Sequence, residues 1–159
     1  MAWRANLLTD TRRILSLLGG IRRVAVLGIR SERFAGRPAH DVPAALAAAG
    51  LDVIPVPVYE PDCAAILGRP VFRSLAAVPD EIDLVDVFRR AADLPRHVDD
   101  ILAKHPAAVW FQSGIRNDVV AETLARAGIN VVQDRCLMVD YRRYRAGLAA
   151  AAGAYSEGR

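Results

Sequence analysis

Five short apolar runs separated by stretches of helical periodicity are the strongest constraint this sequence places on its fold. Arg23 to Leu27, Leu51 to Val58, Ile82 to Val87, Ala107 to Phe111 and Ile129 to Val132 read as strands. They are near-continuous in Val, Ile and Leu, as strands buried on both faces are. Between them, Asp41 is expected to cap a helix that places Val42, Ala45, Leu46 and Ala49 on one face, with Pro43 tolerated in its first turn. Asp93 is expected to cap a helix presenting Leu94, Val98, Ile101 and Leu102, and Asn117 one presenting Val120, Thr123, Leu124 and Ala127. Gly50 and Gly128 close the first and last of these. Ahead of the first strand, Thr9 or Asp10 starts a helix carrying Ile14, Leu17 and Leu18, ended by Gly19-Gly20. Strands covered on both faces need helices on both faces. The expected fold is therefore α/β: a doubly wound, mostly parallel five-stranded sheet with helices on either side.

The irregular stretches set the remaining expectations. Ile29 to Pro38 is polar and punctuated by Gly and Pro, and reads as a loop. Pro55 and Pro57 interrupt the second strand, so its pairing is expected to fray near the end. Pro61 to Leu75 reads as a connector with a turn at Gly68-Arg69-Pro70. A last helix is expected from Tyr141, fraying at Gly153. The 159 residues suit a single domain, with a core at about 14–144 and a flexible tail at about 146–159.

Composition excludes several classes. Hydrophobic residues make up 53% and charged residues 25%, which is a globular balance. The net charge of +3 is small, and no basic stripe interleaved with aromatics appears, so nucleic acid is not expected as a partner. Cys63 and Cys136 are far apart and show no metal-ligand spacing with histidine, so no metal and no disulfide framework is expected. No apolar run approaches the roughly 20 residues that span a bilayer. Leu7-Leu8 runs at once into polar Thr9 to Arg13, unlike a secretory leader. The expected location is the cytoplasm, with no membrane partner.

The candidate site residues lie just past the strands. In open α/β sheets that rim is where ligands bind. Gly28-Ile29-Arg30-Ser31 and Arg37-Pro38 form a strand–glycine–loop–helix turn of the kind that holds anions, enriched by Arg30, Arg33 and Arg37. The dinucleotide pattern Gly-x-Gly-x-x-Gly is absent, since Arg30 stands where its second glycine belongs, and no Gly-Lys-Ser/Thr occurs. The second strand ends in Val56-Pro57-Val58-Tyr59, with Glu60 late, where an NAD site places an acid on the ribose. Phe88-Arg89-Arg90 offers a stacking face beside two guanidiniums, suited to a phosphorylated, base-containing molecule. Gln112 and the Gly114 amide end the fourth strand and are expected to line the same crevice, while Trp110 reads as core. Cys136 reads as a buried structural thiol and His40 as a helix cap. Asp83 and Asp86 on the third strand would need a cleft to act as paired carboxylates.

Taken in order, these stretches resemble the small stand-alone bacterial coenzyme A-binding proteins, the YccU-like group. That group is similar to the coenzyme A-binding domain at the start of the succinyl-CoA synthetase α-subunit. The resemblance runs from about Ile14 to Tyr144. Its marks are Val24-Ala25-Val26-Leu27-Gly28 with Ser31, Arg37-Pro38 with His40, Val53-Ile54-Pro55-Val56, Ile66-Leu67-Gly68, Val85 to Arg90, Val109-Trp110 with Gln112 and Gly114, and Asp134-Arg135-Cys136. The chain departs from the pattern at Pro57-Val58, where relatives often carry Asn-Pro, and at Ala39, where Ser is common. The resemblance implies a Rossmann-like fold that binds coenzyme A or an acyl-CoA. Gly28, Ile29, Arg30, Ser31, Arg37 and Pro38 would meet the phosphates, and Val56 and Pro57 would flank the adenosine. Phe88 and Arg89 would line the crevice, with Gln112 and Gly114 towards the pantetheine arm.

The expected function is therefore binding of a coenzyme A ligand, without catalysis by this chain. The alternatives are an NAD(P)-dependent oxidoreductase, and a module that senses acyl-CoA for a protein partner not named by the sequence. A homo-oligomer is left open.

Overall fold

A computed structural model describes residues 2–157. Five parallel strands form one sheet: β1 (Arg23–Leu27), β2 (Asp52–Val56), β5 (Leu84–Val87), β6 (Ala108–Phe111) and β7 (Asn130–Val132). A separate antiparallel hairpin joins β3 (Ala65–Ile66) to β4 (Arg69–Pro70). The sheet order is β2-β1-β5-β6-β7, so the chain reverses its direction of winding between β1 and β5. Helices α1 (Thr11–Leu18), α2 (Pro38–Ala48) and α5 (Leu137–Glu157) are joined by α3 (Val98–Lys104) and α4 (Asp118–Arg126).

Strand residues alternate between two cores. Ala25, Leu27, Val85, Val87, Val109 and Phe111 pack with Ile101 of α3 and Val120 and Leu124 of α4. Val24, Val26, Leu84, Trp110 and Val132 pack with Ile14 and Leu18 of α1, Val42 and Leu46 of α2, and Leu137 and Tyr141 of α5. This is the expected doubly wound α/β architecture, with Trp110 fully buried.

Several local expectations need correction. Helix α2 starts at Pro38, not at Asp41, because Pro at the first helical position supplies a preset φ and loses no needed donor. Asp41 accepts the Gly36 N–H at 2.9 Å from within that helix. His40 is buried inside α2 rather than capping it, its Nδ1 3.1 Å from the Arg30 carbonyl oxygen. Strand β2 pairs with β1 in register through Pro55 and Val56 and ends there, so Pro57 and Val58 of the expected strand lie past its end. As an edge strand, β2 turns the Pro55 carbonyl outward to the Phe72 N–H, so the missing donor falls on the free edge. The connector turn sits at Leu67-Gly68, both with positive φ, rather than at Gly68-Arg69-Pro70. Asp93 lies inside a 3-10 segment, Ala91–His97, because Pro95 delays the α-helix to Val98. Helix α5 begins four residues before Tyr141 and continues through Gly153 to Glu157; the expected tail residues 158 and 159 lie outside the described residues. Among the described residues, no helix is long and apolar enough to cross a membrane.

Candidate functional site

The winding reversal leaves a crevice at the carboxyl ends of β1 and β5, where open α/β sheets bind ligands. Gly28 closes β1 there with φ +87, and a Cβ on it would overlap the carbonyl oxygen of Phe88. Only glycine lets the two strand ends approach this closely. The Phe88 N–H in turn donates to the Leu27 carbonyl at 2.8 Å, which fixes where the Phe88 side chain leaves the sheet.

Two hollows meet at this point. One, of about 500 Å³, carries the guanidiniums of Arg30, Arg37, Arg89 and Arg90 together with Gly114. The other, of about 390 Å³, is apolar: Val42, Phe88, Ile115, Cys136 and Met138 surround Gln112. Pro38, Phe88, Ser113 and Ile115 belong to both walls, so the hollows form one cleft with a cationic and an apolar lobe.

The cationic lobe is held by ring stacking and ion pairs. The Arg30 guanidinium lies 3.7 Å from the Phe34 ring centroid and 5.1 Å from that of Tyr59. Its Nε donates to Glu60 at 3.3 Å. Arg89 is only 7% exposed and donates from Nε to His97 Nε2 at 3.1 Å. Burial, with the Arg89 charge, holds the His97 ring below its usual pKa, so it stays a neutral acceptor. Asp93 lies 2.9 Å from Arg90 and 3.7 Å from Arg89, and the Arg90 hydrogen bond keeps its carboxyl below the usual range. Arg37, on the exposed rim ahead of α2, has no carboxylate partner among the described residues; its guanidinium sits 5.5 Å from the Phe34 ring centroid.

The turn after β1 does something the sequence did not disclose. Glu60, in the left-handed region at φ 61, reaches back and fills it. Its carboxylate accepts the Ser31 N–H at 3.0 Å and the Ser31 hydroxyl at 2.5 Å. Burial alone would raise the Glu60 carboxyl, but Ser31 and Arg30 outweigh it and hold it low. The loop carrying Glu60 is strapped by Arg73, whose Nη2 donates to the carbonyls of Glu60, Pro61 and Cys63.

The apolar lobe has a polar floor. Gln112, 4% exposed, donates from Nε2 to Asp86 Oδ1 at 2.6 Å and accepts the Leu137 N–H at 3.4 Å. Asp86 sits on β5 between Val26 and Trp110. It is fully buried, and its second oxygen has no hydrogen-bond partner among the described residues. Burial pushes its carboxyl up to about 7, against the weaker pull of Gln112 and the Val87 N–H. Asp83 forms no pair with it: its carboxylate takes the Arg22 and Arg23 N–H groups at the opposite end of the strand.

Of the expected site residues, the structure gathers Arg30, Arg37, Pro38, Phe88, Arg89, Gln112 and Gly114 around the cleft. Gly28 supports it from below through Phe88. Ile29 points into the core, and Ser31 is committed to Glu60. Val56 and Pro57 are buried; the exposed side chains of that stretch are Val58 and Tyr59, with Tyr59 standing between Arg30 and Arg89. Cys136 is half-buried and lines the apolar lobe, rather than lying sealed in the core. Sequence reasoning missed Glu60, Tyr59 and Asp86 as parts of the site. Asp86 alone carried a signal, a carboxylate within an apolar run.

Residues 22–142 match the model of a family described as the CoA binding domain. The chain belongs to that family. YneT, an uncharacterized protein of Bacillus subtilis (strain 168), is 33% identical over 126 residues, covering 79% of this chain and 90% of YneT. A Thermus thermophilus protein of solved structure, cell-free ID.343, is 36% identical with a TM-score of 0.77, over 86% of this chain and 99% of that one. A hypothetical protein from Pyrococcus horikoshii OT3 is 28% identical with a TM-score of 0.77, over 86% and 92% of the two chains. The family membership agrees with the resemblance drawn from the strand-end motifs, and coenzyme A is the ligand class it associates with this fold.

Proposed function

We propose that this chain binds coenzyme A or an acyl-CoA across the cleft between β1 and β5. The diphosphate and 3′-phosphate lie in the cationic lobe, and the pantetheine arm runs over Phe88 into the apolar lobe. The observation that carries this reading is the continuity of the two lobes through Pro38, Phe88, Ser113 and Ile115. Coenzyme A has a polyanionic end and a thin, weakly polar arm, and the cleft repeats that division.

Arg37, which has no carboxylate partner among the described residues, is assigned to a phosphate. The Ser31 donors already hold an anion, so the phosphates are read mainly by Arg37 and Arg30 and not by the turn itself. Gln112 is the buried polar side chain facing the arm. Catalysis is no part of this reading.

Calorimetric titration of the purified protein with coenzyme A, and with NADPH as competitor, tests it. Coenzyme A should bind and NADPH should not displace it at equal concentration. Arg37→Ala should weaken coenzyme A by about 1.5–3 kcal/mol, roughly ten- to hundredfold, as loss of a charge-assisted contact does. No heat and no thermal shift with coenzyme A would overturn the reading.

A further inference from the structure

We infer that Asp86 is a positioning residue for the ligand's arm: through a single hydrogen bond it fixes the Gln112 amide that faces the apolar lobe. This rests on the cleft being the coenzyme A site.

The starting observation is a carboxyl that the fold itself does not use. Asp86 occupies the central strand β5 with no exposed surface, flanked by Val26 and Trp110 on one sheet face. A carboxyl in such surroundings is costly, and a leucine or valine would fill the place without that cost. One of its oxygens has no hydrogen-bond partner among the described residues, so it bridges none of their elements by that atom. Among the described residues its one side-chain partner is the Gln112 Nε2 at 2.6 Å, and the N–H of the adjacent Val87 pulls more weakly on the same carboxyl.

Gln112 passes the constraint on to the site. Its oxygen accepts the N–H of Leu137, the first residue of α5, at 3.4 Å, while its nitrogen is held by Asp86. The amide therefore cannot turn over: Oε1 faces α5 and Nε2 faces β5. Each of the two groups keeps one further hydrogen-bonding position, one acceptor and one donor. Gln112 is at the same time the buried polar side chain among the apolar lining of Val42, Phe88, Ile115, Cys136 and Met138. A pantetheine arm carries secondary amides, each with one C=O and one N–H. A glutamine held in one orientation reads such a group in one direction; a glutamine free to flip does not. Asp86 sets the direction.

The test compares coenzyme A with adenosine 3′,5′-bisphosphate, which carries ribose phosphates but no arm. Both are titrated into the wild type, Asp86→Leu and Asp86→Asn. Asp86→Leu should lose roughly tenfold in coenzyme A affinity, about one good hydrogen bond, and less than about twofold for the bisphosphate. Asp86→Asn, which keeps an oxygen for Gln112, should restore coenzyme A binding to within about twofold of wild type. Asp86→Val, suited to a central strand, carries the same expectation as leucine and serves if Asp86→Leu does not fold. Equal losses for the two ligands would mean a merely structural role and overturn the inference. So would unchanged coenzyme A affinity in Asp86→Leu or Asp86→Val. A wild type that does not bind coenzyme A would instead overturn the reading of the cleft, and this inference with it.

Discussion

Gly28, Glu60 and Asp86 show how single residues decide what the cleft can hold. Gly28 has a positive φ and no room for a Cβ beneath Phe88. Gly28→Ala should therefore destabilise the fold by about 2–4 kcal/mol, combining left-handed strain with overpacking, measured by denaturant unfolding. Glu60 places a carboxylate against Arg30 and Ser31, inside a site proposed for a polyphosphate. Glu60→Gln removes that competing charge, and titration should show coenzyme A binding tightened by about 1 kcal/mol, a few-fold; weaker binding would mean that Glu60 builds the site. Asp86 has a folded pKa of about 7, above its ordinary 3.8, so the folded protein holds more protons between those values. Its stabilising contribution is complete below about pH 4 and is lost as pH rises towards 7, at no more than about 1.4 kcal/mol per pH unit. Unfolding of Asp86→Asn followed from pH 4.5 to 8 should show a flatter profile and higher stability than wild type at pH 8. At this scale the sequence showed the arginines, Phe88 and Gln112 through their place after apolar runs. It hid Glu60, because a left-handed residue folding back onto the preceding βα turn leaves no periodic mark.

The strands of the five-stranded sheet were legible at the level of elements because burial on both faces makes them apolar throughout, and each lies within its expected run; the short β3–β4 hairpin falls in the stretch read as a connector. Helix starts were less so. Asp41 and Asp93 look like caps, yet Pro38 nucleates α2 earlier and Pro95 forces a 3-10 turn before α3, leaving Asp93 to pair with Arg90. Pro55 in β2 and Pro57 just past it looked disruptive because an edge position was not readable from one sequence. Helix α5 packs through Leu137 and Tyr141, whereas its residues from Arg145 to Ala154 are exposed. Removing residues 146–159 should therefore shift the melting temperature by less than about 3 °C and leave coenzyme A affinity within about twofold. A larger loss in thermal melts would place that segment in the domain core.

For the whole molecule, the sheet order explains why distant stretches of sequence meet. The reversal between β1 and β5 brings Arg37, Phe88, Gln112 and Met138 to one rim, although 100 residues separate the first from the last. Alternation of strands and helices announced the doubly wound class. Which residues share the cleft depends on strand order, which the alternation of strands and helices does not display. A separate hollow, of about 510 Å³, lies at the β7 edge between Trp3, Leu7, Arg116 and Gln133, and offers a control region on the same molecule. Amide chemical-shift mapping of the labelled protein during a coenzyme A titration tests the central claim most directly. Saturable shifts are expected at Arg37, Phe88, Gln112, Gly114 and Met138, with the β7-edge hollow silent. Shifts centred on Trp3 and Arg116, or none at saturating coenzyme A, would contradict it.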